Sequence, residues 1–147
     1  MQIATPLGPI AADPAKVLTF PRGLPGFEEC TRFLLVESEE LSPIQLLVAV
    51  DQPDLMLPVL STLEFDPTYQ PALDPPLVRD LGAAGAAELA LMAVVTISEE
   101  GRRVTANLRG PLVINPARQL GCQTILPDER YSLRYPLVGG ANGGGGA

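Results

Sequence analysis

Sixteen prolines and fourteen glycines punctuate this 147-residue chain, so few stretches long enough for a helix are free of both. Proline lacks a backbone donor and clashes with the preceding turn, and glycine loses the most backbone freedom on ordering; neither suits a helix interior. Between them lie short apolar runs bounded by turn residues, the pattern of an all-β domain. The runs predict strands at 17–20, 33–37, 44–50, 56–60, 89–98, 103–109, 112–114 and 131–135. The length suits one domain, placed at 1–137. The segment 138–147, ending in ANGGGGA, cannot bury apolar surface and is expected to be disordered.

Several connections can be read directly. Leu24-Pro25-Gly26-Phe27 fits a type II turn, with Pro fixing φ at the second position and Gly supplying a positive φ at the third. Residues 98–102, SEEGR, join two strong β segments and read as a hairpin loop. One short helix is expected near 77–81. Asn115-Pro116-Ala117-Arg118 reads as a cap with Pro at the first helical position, followed by a single turn. In 104–109, Val104, Ala106 and Leu108 point one way, and Thr105, Asn107 and Arg109 the other. Asn is a poor strand residue, so Asn107 and Asn115 each call for a local hydrogen-bonding role.

Composition removes whole classes of chemistry. There is no histidine, so neither imidazole general-base catalysis nor a Ser-His-Asp or Cys-His arrangement is available. Glu39-Glu40 and Glu99-Glu100 are adjacent pairs whose members point apart, so no carboxylate pair is placed on one face. The chain therefore reads as non-enzymatic, with no cofactor and no metal. Cys30 and Cys122 match no zinc or redox spacing and read as small, apolar, unbridged residues. Tryptophan is absent and aromatics make up 5% of the chain, too few for a base-stacking platform. No apolar run is long enough to span a membrane. The N-terminus lacks a basic region followed by an apolar core, so the expected compartment is the cytoplasm.

The net charge of −7 is unevenly spread. No basic residue lies between Arg32 and Arg79, a window holding Glu37, Glu39, Glu40, Asp51, Asp54, Glu64, Asp66 and Asp74. Residues 102–134 hold six arginines against Asp128 and Glu129. An acidic block without counter-charge repels nucleic acid and attracts a basic partner, although a solvated face that maintains solubility has the same signature.

Three further stretches occur in a fixed order: FPRGLPGFEE at 20–29, DPTY at 66–69 and VTANLRGPLVINPARQLGCQTIL at 104–126, closed by Tyr131 to Leu137. Each is short, but their order and spacing resemble the FliW family of bacterial flagellar assembly factors over nearly the whole chain up to Leu137. Members carry an F-x-x-G-L-P-G-F-E turn, a tyrosine element, then N-L-x-x-P-[IV]-x-[IV]-N and Gln, here Asn107 to Asn115 and Gln123. Where members tend to show Leu-Gln-Ser, this chain has Leu47-Val48-Ala49. Where they show Asp-Pro ahead of the tyrosine, it has Ser61-Thr62.

The resemblance implies a small antiparallel β-barrel-like single domain with at most one or two short helical turns. It implies a non-catalytic monomer that binds flagellin in the cytoplasm and antagonises the translational repressor CsrA allosterically, with no direct nucleic-acid or membrane contact. A flagellin-only chaperone and an unrelated β-barrel interaction module are the competing readings. An RNA-binding partner presents basic surface, which makes Asp51, Asp54, Glu64 and Asp66 the candidate acidic contacts. Phe27 is read as a core residue, with an exposed Leu24 and Phe27 meeting an apolar helix as the alternative. Tyr69 is read as packed with a bonded hydroxyl, Asn107 as an internal anchor, and Arg109 as an exposed interface residue; each is also a candidate partner contact.

Overall fold

The computed structural model describes residues 2–37 and 39–138. Eleven strands account for most of the regular secondary structure. An N-terminal hairpin of β1 (Gln2–Thr5) and β2 (Gly8–Ala11) stands as its own two-stranded sheet. The remaining strands are β3 (Leu18–Thr19), β4 (Arg32–Glu37), β5 (Gln45–Ala49), β6 (Met56–Ser61), β7 (Ala90–Ser98), β8 (Arg103–Ala106), β9 (Leu112–Asn115), β10 (Leu120–Gln123) and β11 (Tyr135–Val138).

Seven of these close on themselves in the order β7, β6, β5, β4, β3, β10, β9 and back to β7. Closure depends on the length of β7. Its first residues, Ala90 to Met92, pair with β9, and Met92 to Val94 pair with β6. Its last four, Val95 to Ser98, leave the barrel and pair with β8, which in turn carries β11. All pairings are antiparallel except one: β3 and β10 run parallel through Thr19 and Leu120. The all-β, barrel-like expectation therefore holds, with that single parallel seam as the difference.

Alternation along the strands builds two cores on opposite faces of β7. Met92 and Val94 face the lumen with Leu18, Phe20, Phe33, Leu47, Ala49, Val59, Leu112 and Ile114. Phe20 and Phe33 meet edge to face there, with ring centroids 5.1 Å apart. Ala93 and Val95 face a second cluster outside the barrel, built from Leu60, Tyr69, Val104, Ala106 and Leu108 under Tyr131, Tyr135 and Leu137. Gly121 lies against the Phe20 ring so closely that a Cβ would sit 2.7 Å from it.

Helical structure is more fragmented than the one or two turns expected. Pro75–Asp80 forms α1, overlapping the predicted 77–81, and four 3-10 turns occur at Pro14–Lys16, Thr62–Glu64, Ala86–Glu88 and Glu99–Gly101. The last of these is the hairpin tip between β7 and β8, where Glu99, Glu100 and Gly101 all take positive φ. Three strand expectations need correction. The hairpin β1–β2 and the strand β10 were not anticipated, and the last strand lies at Tyr135–Val138 rather than 131–135. Residues 129–131 instead form a turn, with the Tyr131 amide donating to the Asp128 carbonyl. The predicted disordered segment lies outside the described residues beyond Val138.

Candidate partner-binding surfaces

The turns singled out in the sequence resolve into internal clamps. Asp66 Oδ1 accepts from the Thr68 amide and hydroxyl, which folds 66–69 into a turn and aims Tyr69 inward. Tyr69 is buried and its hydroxyl donates to the Leu108 carbonyl. Burial, reinforced by neighbouring Tyr131, pushes its ionisation far above the usual tyrosine range. Asn107 Oδ1 accepts from the amides of Arg109 and Gly110, both at 2.9 Å. Because β8 ends at Ala106, Asn107 and Arg109 belong to a turn and do not share an open strand face. The Arg109 guanidinium reaches the carbonyls of Tyr131 and Glu129 at 2.9 and 3.0 Å. It is half-buried and ties two loops together, so the expectation that it stands exposed is corrected. Gln123 completes this knot by donating to the Gly110 carbonyl.

Asn115 is 2% exposed and makes two bonds. Its amide nitrogen donates to Leu81 O at 2.7 Å, and its oxygen caps the Ala117 amide at 3.1 Å. The cap predicted from sequence is present, and it also anchors the end of α1 to the barrel.

The glycine-proline turn inverts the expectation for its two apolar residues. Gly26 has φ 85° and the Phe27 amide donates to Leu24 O, as a type II turn requires. Gly23, at φ 63°, approaches so closely that a Cβ would lie 2.6 Å from the Phe27 carbonyl oxygen. Leu24 is 3% exposed and Phe27 is 40% exposed. Phe20, Leu24 and Cys30 already fill the core beneath the turn, so Phe27 stays outside. Leu24 is therefore a core residue and Phe27 the surface one, reversing the reading of Phe27 as core and removing Leu24 from any exposed pair.

The four acidic candidates do not form one face. Asp51 and Asp54 lie in the loop before β6, while Glu64 and Asp66 follow it. A six-residue strand separates these ends by about 20 Å. Asp51 is engaged by the Arg32 guanidinium through two nitrogens, and that hydrogen bonding holds its carboxyl below the usual range. Asp66 is committed to its own turn. The meander β4–β5–β6 instead gathers Glu37, Glu39 and Glu64 around one hollow with Ser42, Pro43, Ile44 and Gln45. No basic residue lines it. Leu63, 72% exposed, adjoins it in the chain. This grouping follows from strand counting, since an antiparallel meander returns the end of β4 and the end of β6 to the same edge.

A larger groove of about 680 Å³ runs between α1 and β10, with Arg22, Leu77, Asp80, Cys122 and Ile125 among its walls. Arg22 and Asp80 pair at 3.6 Å. Cys30 and Cys122 are both free thiols, and burial raises the Cys122 pKa, which disfavours a reactive thiolate. Among the described residues no cluster of potential metal ligands occurs, and no helix is long and apolar enough to cross a membrane.

The family model for FliW protein matches residues 2–137. The chain belongs to the FliW family. Relatives named flagellar assembly factor FliW include one from Natranaerobius thermophilus, 37% identical across 93% of this chain and 92% of its own length. Another, from Clostridium beijerinckii, is 32% identical across 90% of this chain and 94% of its own. A crystal structure of the flagellar assembly factor FliW superposes with a TM-score of 0.87 at 31% identity, covering 96% of this chain and 99% of that one. Against the family pattern, the departures at Val48 and Ala49 are 1% and 0% exposed. They sit inside the packed protein.

Proposed function

We propose that this chain is a non-enzymatic flagellar assembly factor of the cytoplasm, which binds flagellin and, when free, antagonises the translational repressor CsrA by protein-protein contact. Family membership across residues 2–137 carries this reading. The acidic hollow of Glu37, Glu39 and Glu64 supports its regulatory arm. Three carboxylates without a basic neighbour in their lining favour a cationic protein surface and disfavour nucleic acid. The exposed Leu63 adds an apolar contact beside them. The hollow replaces Asp51 and Asp66, whose side chains are already engaged.

The test is calorimetric titration of the purified chain against flagellin and CsrA from the same genome, followed by competition between them. The expected result is micromolar or tighter binding to each, with one displacing the other. Binding to flagellin alone would make the protein a chaperone without the regulatory arm. In the triple variant E37K/E39K/E64K, affinity for CsrA should fall at least tenfold while flagellin binding and the melting temperature stay close to wild type. Unchanged affinity would remove the acidic hollow from the interface.

A further inference from the structure

The hairpin β1–β2 is attached differently from every other strand. Its strands pair only with each other, with Ile3 opposite Ile10. Among the described residues, the hydrogen bonds of residues 2–12 all stay within that segment. Apolar contact alone fixes it to the barrel: Ile3, 5% exposed, and Ala12 pack on Leu34, with Val17, Val36 and Val50 around them.

The surface beneath is unusual for the outside of a barrel. Phe33 and Leu35 face the lumen, so Leu34 and Val36 project from the outer wall. Register places Val48 opposite Leu34 and Leu46 opposite Val36, on the same face, and Val50 follows Val48 at strand spacing. Five aliphatic side chains in one strip are a surface that needs a cover in water. A two-stranded hairpin is marginal on its own, and one held without backbone bonds belongs to the low-stability end of a structure.

We propose that residues 2–12 are a displaceable strap, which opens as a unit while the seven-stranded barrel stays closed and thereby uncovers Leu34, Val36 and Val50 on the outer wall. The strap contributes no strand to the barrel, so its release breaks none of the barrel's pairings. The uncovered strip runs from Glu37 at the acidic hollow to the Arg32–Asp51 pair. The hairpin is then an intramolecular cover that an apolar partner segment would have to displace.

Native-state hydrogen exchange on the full chain tests this. The Ile3 and Ile10 ladder amides should exchange at least a hundredfold faster than those of β5 and β9, with a denaturant dependence that is measurable but clearly weaker than that of the barrel amides. Equal protection and equal denaturant dependence would overturn the proposal, because the hairpin would then open only with the barrel. The Ile3→Asp variant gives a second readout. It should abolish protection in 2–12 and raise binding of an apolar dye, while the barrel keeps one cooperative melting transition. Loss of that transition, or unchanged dye binding, would equally overturn the strap.

Discussion

At the scale of single residues, closeness of packing sets the sharpest demands. Gly121 is held by contact and not by torsion, since a methyl group there would meet the Phe20 ring at 2.7 Å. That ring is itself wedged against Phe33 inside the barrel. Gly121→Ala should therefore destabilise the domain by about 1–3 kcal/mol through overpacking, read as a lower denaturant midpoint with unchanged slope. Phe27 shows the opposite limit. An aromatic beside a turn is usually core, and sequence reasoning placed it there, but the volume beneath was already occupied by Leu24 and its neighbours. Side-chain volume at a three-dimensional site cannot be summed from a linear sequence, which is why this one inverted.

At the scale of elements, Asn115 joins three of them. It ends β9, caps the turn leading to β10, and holds the carbonyl of Leu81, the residue that caps α1. Asn115→Ala leaves a buried carbonyl and an amide without their partners, so the expected loss is about 2–4 kcal/mol, measured by chemical denaturation. Asn115→Asp should be comparably harmful, since a carboxylate cannot donate to Leu81 O. The local part of this role was legible, because Asn followed by Pro announces a cap. The long-range part was not, because nothing in the spacing of residues 81 and 115 links them. Strands followed the same division. β4 to β8 were readable from β-branched and aliphatic runs between turns. β10, only four residues with a glycine inside, carries too little pattern to be told from a loop. For 131–138 the pattern was present, but the hydrogen-bonded turn at Asp128–Tyr131 moved the strand four residues along. The acidic surface failed for the same reason as the pairing at Leu81: charge density along the chain is visible, whereas which end of β6 each carboxylate occupies depends on the meander.

At the scale of the whole molecule, β7 gives one residue row to each core, so neither cluster can dissolve without disturbing the strand that bounds the other. Tyr69 reports on this coupling. Its hydroxyl is buried in the outer cluster and resists ionisation, while an unfolded tyrosine titrates near its ordinary value of 10.0. With the folded pKa raised, the stabilisation is complete below pH 10 and is lost as pH rises above it. Spectroscopic titration should show Tyr69 ionising only as the domain unfolds in alkali, and Tyr69→Phe should remove that step. A separate, early titration of all three tyrosines would contradict it. The parallel seam between Thr19 and Leu120 carries a different implication, about time. Its partners are about a hundred residues apart along the chain, and such contacts form slowly because a long loop must be closed first. On the ribosome, β3 and β4 emerge long before β10 exists, so the barrel stays an open sheet with exposed edges until β9 and β10 have emerged. The nascent protein therefore passes through an interval in which its aliphatic strands are available to other chains, and it ends only when β9 and β10 arrive to seal the wall.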